Sequence, residues 1–215
     1  MMNAVISVVL IDDHAVVKEG YKRLLSRDTS INVIGEADSG DAAYQVICEL
    51  KPDVAVMDIS LPGMSGIEVT RRVISRLPQQ KILVFSMHED AVFANRAFQA
   101  GAKGYLTKSS APETLIEAVR TVAEGKVFIS NDMAKLIAEQ TIPGKGHRLD
   151  SLSSREFEIF RLLVKGVSLN EISDSLHLSY KTVANYQSNI RQKLDVTSAA
   201  QLVRLAIDHG VISGE

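Results

Sequence analysis

The chain has 215 residues, 46% hydrophobic and 23% charged, with a formal net charge of −2. These values fit a globular protein with core enough for one large domain or two small ones. They exclude a disordered chain and an overall positive field that would recruit nucleic acid or a membrane.

In chain order, Val5–Ile11 is a short apolar run rich in β-branched residues and reads as a buried parallel strand ending in Asp12 and Asp13. A helix is predicted over Ala15–Ser26, a strand over Ile31–Ala37 and a helix over Gly40–Leu50. The cysteine Cys48 falls in the apolar pattern of that helix and is expected in the core; as the single cysteine it excludes an intrachain disulfide and suits a reducing compartment. The next run, Val54–Asp58, delivers one carboxylate to its end before Pro62-Gly63 breaks the pattern. Helices Gly66–Leu77, Asp90–Ala100 and Pro112–Glu124 then alternate with strands Lys81–Ser86 and Gly104–Thr107. Strands and helices in alternation predict a parallel sheet covered on both faces.

Residues 127–150 are expected to form a linker, with a short helix over Asn131–Gln140 and a break at Pro143–Gly146. Beyond it the pattern is helical. Ser153-Ser-Arg-Glu156 and Ser168-Leu-Asn-Glu171 match the S-x-x-E capping box and predict helices running to about Val164 and Leu176. A turn at His177-Leu178-Ser179 leads into a longer helix reaching Leu194, and a last helix begins after Thr197 and ends at Gly210. Two helices joined by so short a turn make a helix-turn-helix candidate. No stretch approaches the ~20 apolar residues of a membrane span, and the start of the chain shows no basic segment followed by an apolar one. The expected setting is the cytoplasm, with no membrane partner.

Open α/β sheets bind ligands at the carboxyl ends of their strands. Parallel strands would bring Asp12, Asp13, Asp58, Ser86 and Lys108 to that edge. A lone Asp58 could simply cap the following helix, but three carboxylates at one edge repel each other, and a divalent cation would relieve that repulsion. Such a set can transfer a phosphoryl group to Asp58, the nucleophile. Asp13, Asp58 and the Ser60 carbonyl would supply oxygen ligands to Mg²⁺, with Asp12 acting through a bound water. Lys108 would offer positive charge and Ser86 a hydrogen bond to the phosphoryl oxygens. Taken singly, Lys108 also reads as a solvated loop lysine and Ser86 as a helix-start residue.

Asp12-Asp13, the run MDISLPGMSG ending at Gly66, Ser86 and the GYLTK run of Gly104–Lys108 together resemble the receiver domain of two-component response regulators, over about residues 5–125. The resemblance implies an α/β fold, a flavodoxin-like, doubly wound sheet of five parallel strands. It implies a sensor histidine kinase as phosphoryl source, with catalysis limited to the protein's own phosphorylation and slow dephosphorylation. It also implies a switch in which Ser86 moves toward the phosphoryl group and Tyr105 follows, the alternative for Tyr105 being a half-buried packing residue. Ser109 stands where many receivers have proline. His88, two residues past Ser86, could face the phosphoryl site or the surface.

In the second part, LSSRE (Leu152–Glu156), the VKGVSLNEIS run from Val164 and LSYKTVANYQSNIRQKL from Leu178 resemble the LuxR-type helix-turn-helix, and the pairing resembles the NarL/FixJ subfamily. This divides the chain into a receiver at 1–126, a linker at 127–150 and a smaller all-α DNA-binding domain at 151–215. His177–Lys193 holds Lys181, Arg191 and Lys193 and no acid. Helical spacing puts Val183, Ile190 and Leu194 on an inward face and Lys181, Ala184, Asn185 and Ser188 on another, which would enter the major groove. There Lys181 suits phosphate and Asn185 suits adenine, while Thr182, Asn189, Arg191 and Lys193 suit the DNA backbone. Tyr186 and Gln187 depart from the family pattern. The implied partner is double-stranded DNA, bound by a homodimer when phosphorylated, and RNA polymerase is a further candidate. Leu202, Val203, Ala206 and Ile207 supply apolar surface for that dimer. Competing readings are a phosphatase, which would need a carboxylate where Ser60 stands, an adaptor whose helical module binds protein, and a DNA-binding protein indifferent to phosphorylation.

Overall fold

Among the described residues six parallel strands form one sheet in the order β2-β1-β3-β4-β5-β6. They are β1 (Ile6–Ile11), β2 (Ile31–Ala37), β3 (Val54–Met57), β4 (Ile82–Ser86), β5 (Gly104–Thr107) and β6 (Phe128–Ile129). The helices between them are α1 (Ala15–Leu25), α2 (Gly40–Leu50), α3 (Gly66–Arg76), α4 (Ala91–Gln99) and α5 (Pro112–Ala123). This computed structural model describes residues 5–140, 149–208 and 211–212. The chain divides into two units, Met1–Lys135 and Leu136–Glu215.

In the first unit every residue of β3, β4 and β5 is buried, as expected for strands covered on both sides. On one face Val8, Leu10, Val54, Val56, Leu83, Phe85 and Leu106 pack with Leu24 and Leu25 of α1 and Leu115, Ala118, Val119 and Val122 of α5. Right-handed crossovers put α2, α3 and α4 on the other face, where they bury Ala43, Ile47, Ile67, Val73, Ala94 and Ala97. The register aligns the strand ends: Ile11 lies beside Met57, Met57 beside Val84, and Ser86 beside Thr107.

The predicted elements recur with ends shifted by a residue or so. The difference is the sixth strand. Phe128 and Ile129 pair with Gly104 and Tyr105, inside the stretch expected as linker. An apolar run this short carries no readable period, yet it covers the edge that β5 would otherwise leave open. Cys48, expected in the core, is half-buried. Pro143–Gly146 lies outside the described residues.

A helix, α6 (Asn131–Gln140), crosses the boundary between the units. The second unit continues with a 3₁₀ turn at Leu149–Ser151, then α7 (Ser154–Val164), α8 (Leu169–Ser175), α9 (Tyr180–Lys193) and α10 (Ala199–Asp208). Both capping boxes close as the sequence predicts. Ser153 Oγ accepts the Glu156 N–H while Glu156 Oε2 accepts the Ser153 N–H, and Ser168 and Glu171 repeat the exchange. Phe157, Ile159, Phe160, Ile172, Val183, Ile190 and Leu194 are buried. Leu202 and Ala206 join this core at 3% and 0% exposure, so they are not spare surface for a dimer; of the expected four, Ile207 is exposed and Val203 half-buried. The turn between α8 and α9 is closed by the Leu178 N–H on the Ser173 carbonyl, with His177 in the left-handed region at φ 51°. Among the described residues no helix is long and apolar enough to cross a membrane.

Candidate functional site

The strand order reverses between β1 and β3, the place where a doubly wound sheet opens a crevice at its carboxyl edge. Asp12 follows β1 and Asp58 follows β3, and both are buried, at 5% and 4% exposure. Lys108, just past β5, places its Nζ 2.6 Å from Asp12 Oδ2 and 2.6 Å from Asp58 Oδ2. The other Asp58 oxygen accepts the Ile59 N–H at 2.6 Å, and the Ser60 N–H lies 3.5 Å away. Asp12 Oδ1 accepts the His14 N–H at 2.9 Å.

The loop after Asp58 reaches this position because Gly66 has no Cβ. One built there would land on the Asp58 carbonyl oxygen, and one on Gly40 would land on the Met64 carbonyl. Ser65 then starts α3 by accepting the Glu68 N–H.

Burial pushes the Asp58 carboxyl above its ordinary range and Asp12 adds to the push, although Lys108 and the Ile59 N–H act against it. Burial alone would lower the Lys108 ammonium; Asp58 and Asp12 together outweigh it and hold Lys108 charged. The pocket therefore carries more negative charge than one ammonium offsets. Carboxylate oxygens of Asp12, Asp13 and Asp58 and a ring nitrogen of His14 lie within 4.8 Å of one another. The oxygens suit a hard divalent cation. The His14 ring does not, and it sits against the acids instead, with Nδ1 2.8 Å from Asp13 Oδ1.

The remaining predicted positions surround this pocket. Ser86 is buried at the end of β4, and its Oγ accepts the His88 N–H at 3.3 Å. Tyr105 is fully buried, not half-buried, and its hydroxyl donates to the His88 carbonyl at 2.8 Å. The His88 ring stacks on Phe93 with centroids 3.9 Å apart, and its Nε2 lies 3.2 Å from Ser60 Oγ. His88 is thus tied to three of the site positions and is not a plain surface loop residue. Ser109 donates to Glu89 Oε1 at 2.7 Å, linking the loops after β5 and β4. Two contributors escaped sequence reading: His14, and Lys18, whose ammonium reaches the Asp12 and Ala37 carbonyls at 3.3 and 3.4 Å. His14 adjoins the acid pair and could have been noticed; nothing in the sequence marks Lys18.

In the second unit, α9 sorts its residues as the spacing predicts. Val183, Ile190 and Leu194 are inward, at 0%, 0% and 1% exposure. Lys181, Asn185, Ser188 and Asn189 are exposed, and Ala184, Thr182 and Arg191 half-buried. Several of these already have partners in the free protein. The Thr182 and Ser179 hydroxyls share a hydrogen bond of 2.7 Å, and Ser188 Oγ donates to the Ala184 carbonyl at 3.1 Å. Lys193 Nζ is 2.7 Å from Glu156 Oε2. Tyr180 is 54% exposed on the first turn of α9, beside Lys181.

Comparison with known proteins matches these two units to two families. The model described as response regulator receiver domain covers residues 8–120, and that described as bacterial regulatory proteins, luxR family, covers 150–206. The chain is 40% identical over 208 residues to the transcriptional activator protein ExaE of Pseudomonas putida, covering 95% of this chain and 97% of that protein. It is 38% identical over 212 residues to the response regulator UvrY of Escherichia coli, covering 98% and 97%. A solved structure of RcsB from Salmonella enterica serovar Typhimurium, bound to promoter P1flhDC in the presence of the phosphomimetic BeF3⁻, aligns with a TM-score of 0.62 at 25% identity, over 95% of this chain and 98% of that one.

The Glu156–Lys193 pair gives a pH test. Burial alone would raise the Glu156 carboxyl, but Lys193 and the Ser153 N–H and hydroxyl outweigh it and hold it below its ordinary value. A carboxyl depressed in the folded state stabilises above its unfolded pKa of about 4.3, and that stability fades as pH falls through the lower folded value. Melting of the second unit should therefore drop as pH is taken below about 4.3. Lys193→Ala should cost about 0.5–1 kcal/mol at neutral pH and make the acid loss shallower. Identical acid profiles for the two proteins would mean that Lys193 does not hold Glu156.

Proposed function

Because the chain belongs to the two-component response regulators with a receiver and a LuxR-type DNA-binding domain, we propose that Asp58 is its phosphoacceptor and that phosphorylation there promotes dimerisation on operator DNA. The protein is a DNA-binding transcriptional regulator. The observation that carries the proposal is the Lys108 ammonium held 2.6 Å from both Asp58 and Asp12 at the carboxyl edge of the sheet.

An Asp58 carboxylate oxygen attacks the phosphorus of a phosphohistidine on the sensor kinase. The P–N bond breaks, its electron pair stays on the imidazole, and the new O–P bond is an acyl phosphate. Lys108 has three N–H donors; two face Asp12 and Asp58 and the third is available to a phosphoryl oxygen. Ser86, at the end of the neighbouring strand, offers its hydroxyl to another. Mg²⁺, held by Asp13, Asp58 and the Ser60 carbonyl with Asp12 in its outer sphere, would offset the charge of carboxylates and phosphoryl oxygens. Water attack on phosphorus later releases inorganic phosphate and restores Asp58.

The modification replaces a carboxylate by an acyl phosphate and so adds about one negative charge and new acceptor oxygens, a local event that must bias a two-state element to be felt at the DNA. Ser86 and Tyr105 are the elements proposed, because both are tied to the backbone of His88. On DNA, α9 would lie in the major groove. Lys181 and the helix N-terminus would meet phosphate, Ala184, Asn185 and Ser188 would face bases, and Thr182, Asn189, Arg191 and Lys193 would lie toward the backbone. The setting is the cytoplasm, with RNA polymerase a further partner.

With Mg²⁺ and a small phosphodonor, the wild type should gain one acid-labile phosphoryl group and Asp58→Asn none; labelling of the variant would remove Asp58 from its role. Sedimentation should show a weakly associating or monomeric protein that becomes a dimer with beryllofluoride, and an unchanged mass together with unchanged operator affinity would refute the coupling. Lys181→Ala should weaken all duplexes alike and lower the salt slope by about one. Asn185→Ala should cost ~1–3 kcal/mol on the operator and little on random DNA. Equal effects of the two substitutions on both DNAs would contradict the assigned faces.

A further inference from the structure

An open groove between α2 and α3 is lined by Tyr44 from α2 and by Arg71, Arg72, Ser75 and Arg76 from α3. Two of its three guanidiniums share one carboxylate. Glu68 takes Arg71 at 2.8 Å and Arg72 at 3.1 Å, while Arg76 is raised above its ordinary value chiefly by a hydrogen bond with Tyr44. The surplus is local, because residues 1–140 as a whole hold 15 Lys/Arg against 18 Asp/Glu. Ile67, Thr70 and Val73 bury the inner side of the same helix, so the arginines are not recruited into the core. Arg71 and Arg72 remain 62% and 57% exposed, each held from one side by Glu68. A solvated helix face needs no such concentration of planar, forked donors, which are the groups suited to bidentate binding of phosphate. From Arg72 to Arg76 the helix rises about 6 Å, a separation that linked phosphates bridge better than a single one.

We propose that this groove binds a polyphosphate chain, with Arg72 and Arg76 as its main contacts, supported by Arg71 and the Ser75 hydroxyl. Inorganic polyphosphates and nucleoside triphosphates share that chemistry. The site is separate from the Asp58 pocket, and its failure would leave the phosphoacceptor reading untouched.

The test is calorimetric titration of the full chain, without divalent cations, using inorganic tripolyphosphate, ATP and a short DNA duplex. Wild type should bind tripolyphosphate saturably and more tightly than orthophosphate. The double variant Arg72→Gln/Arg76→Gln should lose at least about tenfold in affinity. Glu68→Gln, which removes the carboxylate that pairs Arg71 and Arg72, should gain several-fold, an increase that a merely structural role would not produce. Arg23→Gln, on exposed α1, should change nothing. Equal affinity for tripolyphosphate and ATP identifies the phosphate chain as the whole determinant; tighter ATP adds a base contact at Tyr44, and both support the site. The proposal fails if wild type shows no saturable binding, if the double variant binds as well as wild type, or if Glu68→Gln gains nothing. It also fails if the double variant loses only duplex binding, which would make the groove a DNA contact.

Discussion

One buried ammonium sets the terms for the first unit. Lys108 lies 96 residues from Asp12 and 50 from Asp58, yet it touches both. Burying two carboxylates is costly unless each is paired and hydrogen-bonded. The rest of the site can be understood as meeting that condition: the Ile59 N–H on Asp58, the His14 N–H on Asp12 and the Lys18 ammonium on the backbone beside them. Only strands aligned at their carboxyl ends bring these groups together, so the parallel sheet and its register are prerequisites of the chemistry. Burial still leaves its mark, since it raises the Asp58 carboxyl in spite of Lys108. Asp12, Asp13 and Asp58 thus set three carboxyl groups beside a single ammonium, with ligand oxygens within 4.8 Å of one another.

The second constraint is steric. The segment from Asp58 to Gly66 must fold back tightly enough for the Gly66 N–H to reach the Ile59 carbonyl at 2.9 Å. Gly66 sits so close to the Asp58 carbonyl that no side chain fits, and Gly40 stands likewise against Met64. Pro62-Gly63 signalled a loop from the sequence, but the need for glycine at 66 comes from contact within the fold and not from turn geometry. Local signals therefore located the loop correctly for a reason that explains only part of it.

The same division between local and long-range information runs through the whole chain. Buried strands, both capping boxes and the inward face of α9 were legible because their causes lie within a few residues. β6 was not, since two residues carry no period and gain their place only by pairing with β5. Cys48 kept its helix but not its burial, because the depth of a helical face depends on what packs over it. Leu202 and Ala206 were read as spare apolar surface, whereas α10 packs on α7 and uses them as core. In the pocket the acids, Ser86 and Lys108 were legible as strand ends. The Ser60–His88–Phe93 assembly above them was not, because stacking between loop and helix leaves no trace in the sequence.

In the second unit one carboxylate carries two structural duties. Glu156 Oε2 closes the capping box of α7 through the Ser153 N–H and also holds Lys193 at the end of α9, 37 residues away. The same α7 supplies Phe157 and Phe160 to the core that Val183 and Ile190 enter from the other side. A helix fixed by an apolar stripe along its length and an ion pair at its last turn has little freedom to roll. The polar face that remains, from Lys181 to Ser188, is therefore held at a set angle on the second unit. Preorganisation of this kind lowers the ordering cost of binding. With one lysine and one amide on it, that face differs from a flexible basic tail in fixed geometry more than in charge.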